Sequence, residues 1–218
     1  MTPLARQIIS EGRGNRVLTE RQLARLVKGS DQSRYGLVNR ALKAGELLRV
    51  KRGLYVLANE LREVPVHPFA LAQHIVPGSY VTGETALGFH GWIPEAVRTV
   101  LSATATGKSV TYEHERLGSF EFRRMTVRPG YFLEAVSREV LKGQVALVAS
   151  PIRALMDLVY LRKRPWKGLG FLLEGLRIDE ESLMRTSSAE IIPMLEVYKG
   201  KREREFIEEL LRELGLDD

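Results

Sequence analysis

The stretch that decides the fold is Ser30-Asp-Gln-Ser-Arg-Tyr-Gly-Leu-Val-Asn-Arg40-Ala-Leu-Lys-Ala-Gly45-Glu-Leu-Leu-Arg-Val50-Lys-Arg-Gly-Leu-Tyr55-Val-Leu57. Ser30 or Asp31 is placed to cap a helix that runs to Ala44 and stops at Gly45. Glu46 to Val50 and Leu54 to Leu57 read as two strands, and Gly53 in the turn Lys51-Arg52-Gly53 supplies the permissive backbone. Upstream, Leu4, Ile8 and Ile9 give a first helix one apolar face, which the loop Glu11 to Asn15 ends. Thr19 with Gln22 three residues later is a capping box for a second helix, with Leu23, Leu26 and Val27 inward and Gly29 at its C-cap. Three helices followed by a basic-tipped hairpin is the order of a winged helix-turn-helix, expected over residues 1–60.

Charge agrees with that boundary. The chain of 218 residues carries a net +6 with a pI near 9.6. Residues 1–60 hold 12 Lys and Arg against 5 Asp and Glu, a balance of +7; residues 61–218 hold 21 against 22, or −1. A positive excess confined to one segment points to a polyanion-binding module joined to a near-neutral second domain. A composition 44% hydrophobic and 28% charged suffices for two packed cores. No apolar run approaches the roughly 20 residues of a membrane helix. The opening MTPLARQIIS has no basic region feeding an apolar one, so no secretory signal is expected. Zero cysteines leave no disulfide, thiolate zinc site or cysteine nucleophile and fit a cytoplasmic protein.

On the third helix, Tyr35, Val38 and Leu42 share a face expected to pack on the other helices. The opposite face carries Ser33, Leu37, Arg40 and Ala44, flanked by Arg34 and Lys43. Ser33 can donate or accept, Arg34 or Arg40 can pair with guanine or hold a phosphate, Gly36 permits close approach, and an exposed Leu37 can meet a thymine methyl. At the hairpin tip, Lys51 and Arg52 are placed to reach phosphate or the minor groove. The expected DNA-binding set is therefore Ser33, Arg34, Leu37, Arg40, Lys43, Lys51 and Arg52.

Beyond a boundary at Asn59 to Pro68, the pattern is mixed α+β with a helical C-terminus. Helices are expected near Phe69–Ile75, Gly83–His90, Ile152–Leu161, Gly168–Leu176 and Lys201–Leu214, with a broken helical stretch over Ser188–Lys199. Strands are expected at Ser79–Val81, Val97–Ser102, Phe120–Val127 and Val145–Val148. Ser150 caps the helix after the last strand, with Pro151 at its first position. Candidate chemistry is thin. His67, His74, His90 and His114 lack metal-ligand spacing. His90, beside Gly91 at a helix end, is placed to satisfy terminal carbonyls. Asp157 sits four residues after Arg153, the spacing of a structural pair on one helix face. No catalytic residue, metal site or cofactor is expected. The stripe Phe206, Ile207, Leu210, Leu211 and Leu214 must cover either this domain's own core or a partner.

Three ordered segments carry a resemblance. Arg40-Ala-Leu-Lys-Ala-Gly45 followed by Leu48-Arg-Val-Lys-Arg-Gly53-Leu-Tyr55-Val-Leu57 resembles the helix-to-wing junction of AbiEi-type antitoxins. Tyr80-Val-Thr-Gly-Glu-Thr-Ala86-Leu-Gly-Phe-His90-Gly91 and Val148-Ala-Ser150-Pro151-Ile-Arg153-Ala-Leu-Met-Asp157-Leu158 are similar to later segments of that family. The resemblance spans roughly residues 15–160. One departure is Ile152, where an acidic residue is expected. It implies an autorepressor of a type IV (AbiE) toxin–antitoxin system, an antiviral abortive-infection device. It further implies an operator of inverted repeats and antagonism of a nucleotidyltransferase-like toxin without a required stable complex. The residues themselves leave two alternatives open: a regulator whose second domain senses a small molecule, or a nuclease.

Overall fold

A computed structural model of the protein, which describes residues 1–27, 29–94 and 98–217, has a mixed α+β architecture with two sheets. The chain divides into two compact units. One is Met1–Ile75 with Leu141–Gln144; the other is Val76–Val140 with Val145–Asp218. No helix among the described residues is long and apolar enough to cross a membrane.

The first unit opens with α1 (Pro3–Ser10), whose N-cap Thr2 accepts from Ala5 N. Leu4, Ala5 and Ile8 are buried on its inner face, while Ile9, expected inward, lies a turn edge away and is 39% exposed. A two-residue strand, β1 (Leu18–Thr19), leads into α2 (Glu20–Leu26). The capping box is present: Thr19 Oγ1 accepts from Gln22 N, and Gln22 Oε1 accepts from Thr19 N at 2.8 Å. Ser30 caps α3 (Asp31–Lys43) by accepting from Ser33 N, and Gly45 follows with φ +67, a conformation that favours glycine. Strands β2 (Leu47–Lys51) and β3 (Leu54–Leu57) form an antiparallel hairpin turned at Arg52-Gly53, where Gly53 has φ +77. β1 adds to β3, giving the order β1-β3-β2. Leu4, Ile8, Leu18, Leu23, Leu26, Val38, Ala41, Leu47 and Leu57 meet in one core.

The segment after the hairpin is fastened to this unit. Buried Arg62 donates to the carbonyls of Asn15 and Val64, and Asn15 Oδ1 accepts from Glu63 N and Val64 N. A 3-10 turn (Asn59–Leu61) and α4 (Pro68–Ile75) complete it.

In the second unit, apart from the strand ends Leu141 and Gln144, strands β4 (Tyr80–Val81), β5 (Thr99–Thr104), β6 (Val110–His114), β7 (Gly118–Arg124), β8 (Val136–Leu141) and β9 (Gln144–Ala149) form one mixed sheet, ordered β6-β7-β5-β4-β9-β8. β5 runs parallel to β7, and β4 parallel to β9. Val97, expected to begin β5, lies outside the described residues. Helix α5 (Gly83–Phe89) follows β4, and α6 (Pro151–Arg162) follows β9 with Ser150 accepting from Arg153 N at its cap. The helix expected over Gly168–Leu176 is present over residues 169–175, with its greater part, Phe171–Gly175, in π-helical geometry. Short helices α7 (Glu180–Met184), α8 (Ser188–Ile191) and α9 (Met194–Val197) lead to α10 (Lys201–Glu213). Its stripe Phe206, Ile207, Leu210 and Leu211 is buried within this unit, where α10 packs on α6, α8 and α9. Leu214, just past the helix, is half-buried.

Candidate nucleic-acid interface

Helix α3 presents two distinct surfaces. Val38 and Ala41 face the core, and Leu42 is half-buried beside them. Successive residues turn about 100°, so Gln32, Gly36, Asn39, Arg40 and Lys43 fall on the far side. Gln32, Ser33, Arg40 and Lys43 are exposed there.

Two expectations about this helix change. Tyr35, assigned to the packing face, is 68% exposed, because the inner face centres on Val38 and Ala41 and leaves Tyr35 at its margin. Leu37, assigned to the DNA face, is instead partly buried against the core. One residue of rotation in the helix separates these outcomes.

Gly36 occupies the middle of the exposed stripe. A Cβ added there would meet nothing within 4 Å. Glycine in a helix interior costs about 1 kcal/mol relative to alanine, and no close contact among the described residues calls for it.

Between the start of α3 and the hairpin lies a cleft of about 610 Å³, lined by Glu20, Leu23, Asp31, Gln32, Arg34, Tyr35, Val38, Arg49, Arg52, Gly53 and Tyr55. The hairpin tip is held against the start of α2 by the bond from Glu20 N to Gly53 O, 2.9 Å. Arg49, exposed between buried Leu48 and Val50, sits opposite Tyr55 in the ladder, its guanidinium 5.9 Å from the ring centroid. Arg34 Nη2 donates to Asp31 Oδ1 at 2.7 Å; the Arg34 side chain is only 22% exposed, that of Asp31 92%.

The two hairpin cations diverge. Arg52 is exposed at the tip. A register shift between Arg49 and Lys51 re-aims the next side chain, as bulges do. Lys51 Nζ donates to Ile75 O at 2.5 Å and is engaged inside the unit instead of reaching outward. Arg49 and Tyr35 were missed as surface groups. The signal for Arg49 was available: it is the polar member of an alternating strand.

The second unit holds a closed polar hub. Arg153 and Asp157 are both fully buried, with Arg153 Nε donating to Asp157 Oδ1 at 2.9 Å. The other four guanidinium hydrogens reach the carbonyls of Tyr131, Phe132 and Glu134 and the Tyr80 hydroxyl. Asp157 also accepts from Tyr80 (2.8 Å), Thr82 (2.6 Å) and Tyr198 (2.5 Å). Burial, together with the Asp157 charge, pushes the Tyr80 and Tyr198 hydroxyls well above the ordinary phenol value. Every member is satisfied and none reaches a surface, so the hub has the character of a structural clasp.

His90 serves the same unit differently from expectation. The carbonyls ending α5 are taken by the backbone N–H groups of His90, Gly91 and Trp92, while His90 Nε2 lies 2.9 Å from Ala149 O. Among the described residues no three His, Asp or Glu side chains gather where they could hold a metal ion.

A second cleft, about 780 Å³, lies in this unit between the β5–β7 face and α6. Its charged groups include two ion pairs, Glu84 with Arg162 and Glu121 with Arg123. Leu101, Leu158, Leu161 and Leu176 provide apolar wall.

No protein-family model matches the chain, and no curated protein matches it.

Proposed function

We propose that the first unit is a winged helix-turn-helix that binds duplex DNA and that the protein is a transcriptional repressor. The observation carrying this reading is the confinement of the chain's whole positive excess to residues 1–60, where exposed Arg40 and Lys43 lie in the last turn of α3 and exposed Arg49 and Arg52 lie on the hairpin. The order α1, α2, α3, hairpin supports it, as does Gly36, a half-buried helix glycine with open space where a Cβ would stand. In this reading α3 enters the major groove and the hairpin lies on the flanking backbone. Footprinting of the full-length protein on the DNA upstream of its own gene tests it; protection of one compact site is expected, and uniform coating of the fragment would count against a repressor.

The resemblance to AbiEi-type antitoxins extends the proposal. The repressor would act on its own promoter at inverted repeats, in the cytoplasm, and would antagonise a nucleotidyltransferase-like toxin encoded beside it, without catalysis of its own. Co-expression growth assays separate the two roles. An Arg40→Glu, Arg52→Glu variant that has lost DNA binding should still rescue growth if the second unit is the antitoxin. Failure of that variant to rescue, with normal abundance, would leave repression as the only role.

A second reading has one observation in its favour: the cleft beside α6 could admit a small molecule, making the second unit a sensor. Its acids are already paired with arginines, which leaves less charge for a ligand to meet, so this reading stands second.

A further inference from the structure

We infer that the cleft between α3 and the hairpin grips one sugar–phosphate strand of a DNA duplex through Arg34, Arg49 and Arg52, while base preference is read by a separate stripe of α3: Gly36, Asn39, Arg40 and Lys43. The inference rests on the duplex-DNA reading above and divides labour within it. In particular, of the two roles the sequence leaves open to Arg34, base pairing with guanine and holding a phosphate, it assigns the second.

The first ground is the direction of Arg34. A bidentate pair with guanine needs a guanidinium edge projecting freely into the groove. Arg34 is folded back along its own helix onto Asp31 at 2.7 Å and is 22% exposed. It shares its cleft with Arg49 and Arg52, which come from the hairpin. Guanidinium groups converging from a helix and a sheet onto one concave surface suit phosphate oxygens, which accept from several donors at once. Arg49 is pre-oriented by the Tyr55 ring beneath it. Tyr35 stands at the rim of the cleft, 68% exposed, with a hydroxyl to offer a phosphate and a ring to lie against deoxyribose.

The second ground is the stripe. Its residues lie on the other exposed flank of α3, and at its centre Gly36 offers bare backbone with open space where a side chain would stand. Bare backbone lets a helix sit deeper against base edges, which a phosphate grip does not require.

The cleft also contains acids. Asp31 and Glu20 line it, and in the free protein Asp31 occupies the guanidinium that a phosphate would take. Asp31 therefore acts against backbone affinity at every sequence alike, and it keeps nonspecific binding down.

The test is fluorescence anisotropy of the full-length protein on a duplex from its own promoter, on a panel of single-base-pair variants, and across a salt series. Arg34→Ala and Arg49→Ala should each weaken all duplexes by a similar factor and reduce the salt slope by about one. Arg34→Lys, which keeps the charge and guards against a folding artefact, should retain the slope. Asp31→Asn should strengthen all duplexes severalfold. Arg40→Ala and Lys43→Ala should compress the spread across the panel. If Arg34→Ala compresses the panel and leaves the slope unchanged, or alters neither, the division of labour is overturned while DNA binding stands. If the wild-type protein binds no duplex at low salt, the DNA reading itself falls and takes the inference with it.

Discussion

Gly36 sets local stability against function. Gly36→Ala should stabilise the fold by about 0.5–1 kcal/mol, because alanine loses less backbone entropy in a helix and the site has room for a methyl group. The same substitution should weaken binding to the preferred duplex by tenfold or more if Gly36 faces base edges. Urea unfolding paired with anisotropy reads both; a variant that is more stable and binds equally well would remove Gly36 from the interface. The polar hub gives a second residue-scale test. Asp157→Ala leaves buried Arg153 without its counter-charge, a loss of about 3–5 kcal/mol, measurable by urea unfolding. Tyr80 and Tyr198 should also make the second unit sensitive to alkali. Their hydroxyl pKa values are raised in the folded state, so native protein binds more protons than unfolded chain once pH passes the ordinary phenol value. The stabilisation is complete below about pH 10 and is lost above it, by about 1.4 kcal/mol per pH unit for each tyrosine until its native value is reached. Phenolate absorbance should show two of the seven tyrosines ionising only on unfolding; early titration of all seven would contradict the hub. Half of this hub was legible, since Arg153 and Asp157 lie four apart on one helix. Tyr80, Thr82 and Tyr198 lie 77, 75 and 41 residues from Asp157, and only the sheet topology brings them to it.

At the scale of elements, what could be read was what local chemistry dictates. The Thr19–Gln22 box and the Ser30 and Ser150 caps each follow from side-chain bonds within three residues, and the turn at Gly53 from a positive φ that glycine adopts without strain. Edge strands β6 and β8 escaped notice, because both lie at the margins of the sheet and are mostly exposed or half-buried, which blurs the period-two alternation. Gly168, whose φ is +82, marks the start of the helical stretch 169–175 as expected; the π-helical geometry of Phe171–Gly175 has no side-chain spacing that announces it. The pattern leaves the rotation of α3 open by about one residue, because Tyr35 and Leu37 are both large enough to pack, and only the packing of α3 on α1 and β2 selects between them. Helix α10 was legible as a stripe but not in its destination. Leu210, fully buried against its own unit, should cost about 2–5 kcal/mol on replacement by alanine. DNA affinity of the folded variant should be unchanged; a loss of growth rescue without loss of stability would return the stripe to a partner surface.

Across the whole molecule, charge is partitioned more sharply than structure. Both units have full cores and comparable clefts, yet residues 1–60 carry +7 and residues 61–218 carry −1. On the proposed DNA-binding reading, such a partition makes affinity for DNA removable by changes in the first unit that leave the second untouched. Each phosphate neutralised releases condensed counterion, so log affinity falls with log salt by about 0.9 per contact. The most direct measurement is therefore the salt dependence of duplex binding by full-length protein, compared with two double charge reversals that preserve the fold. Arg40→Glu with Arg52→Glu should abolish binding and its salt slope. Arg138→Glu with Arg185→Glu, exposed in the second unit, should leave both at the wild-type value. Equal losses from the two reversals, or binding that survives the first, would contradict the assignment of DNA binding to residues 1–60.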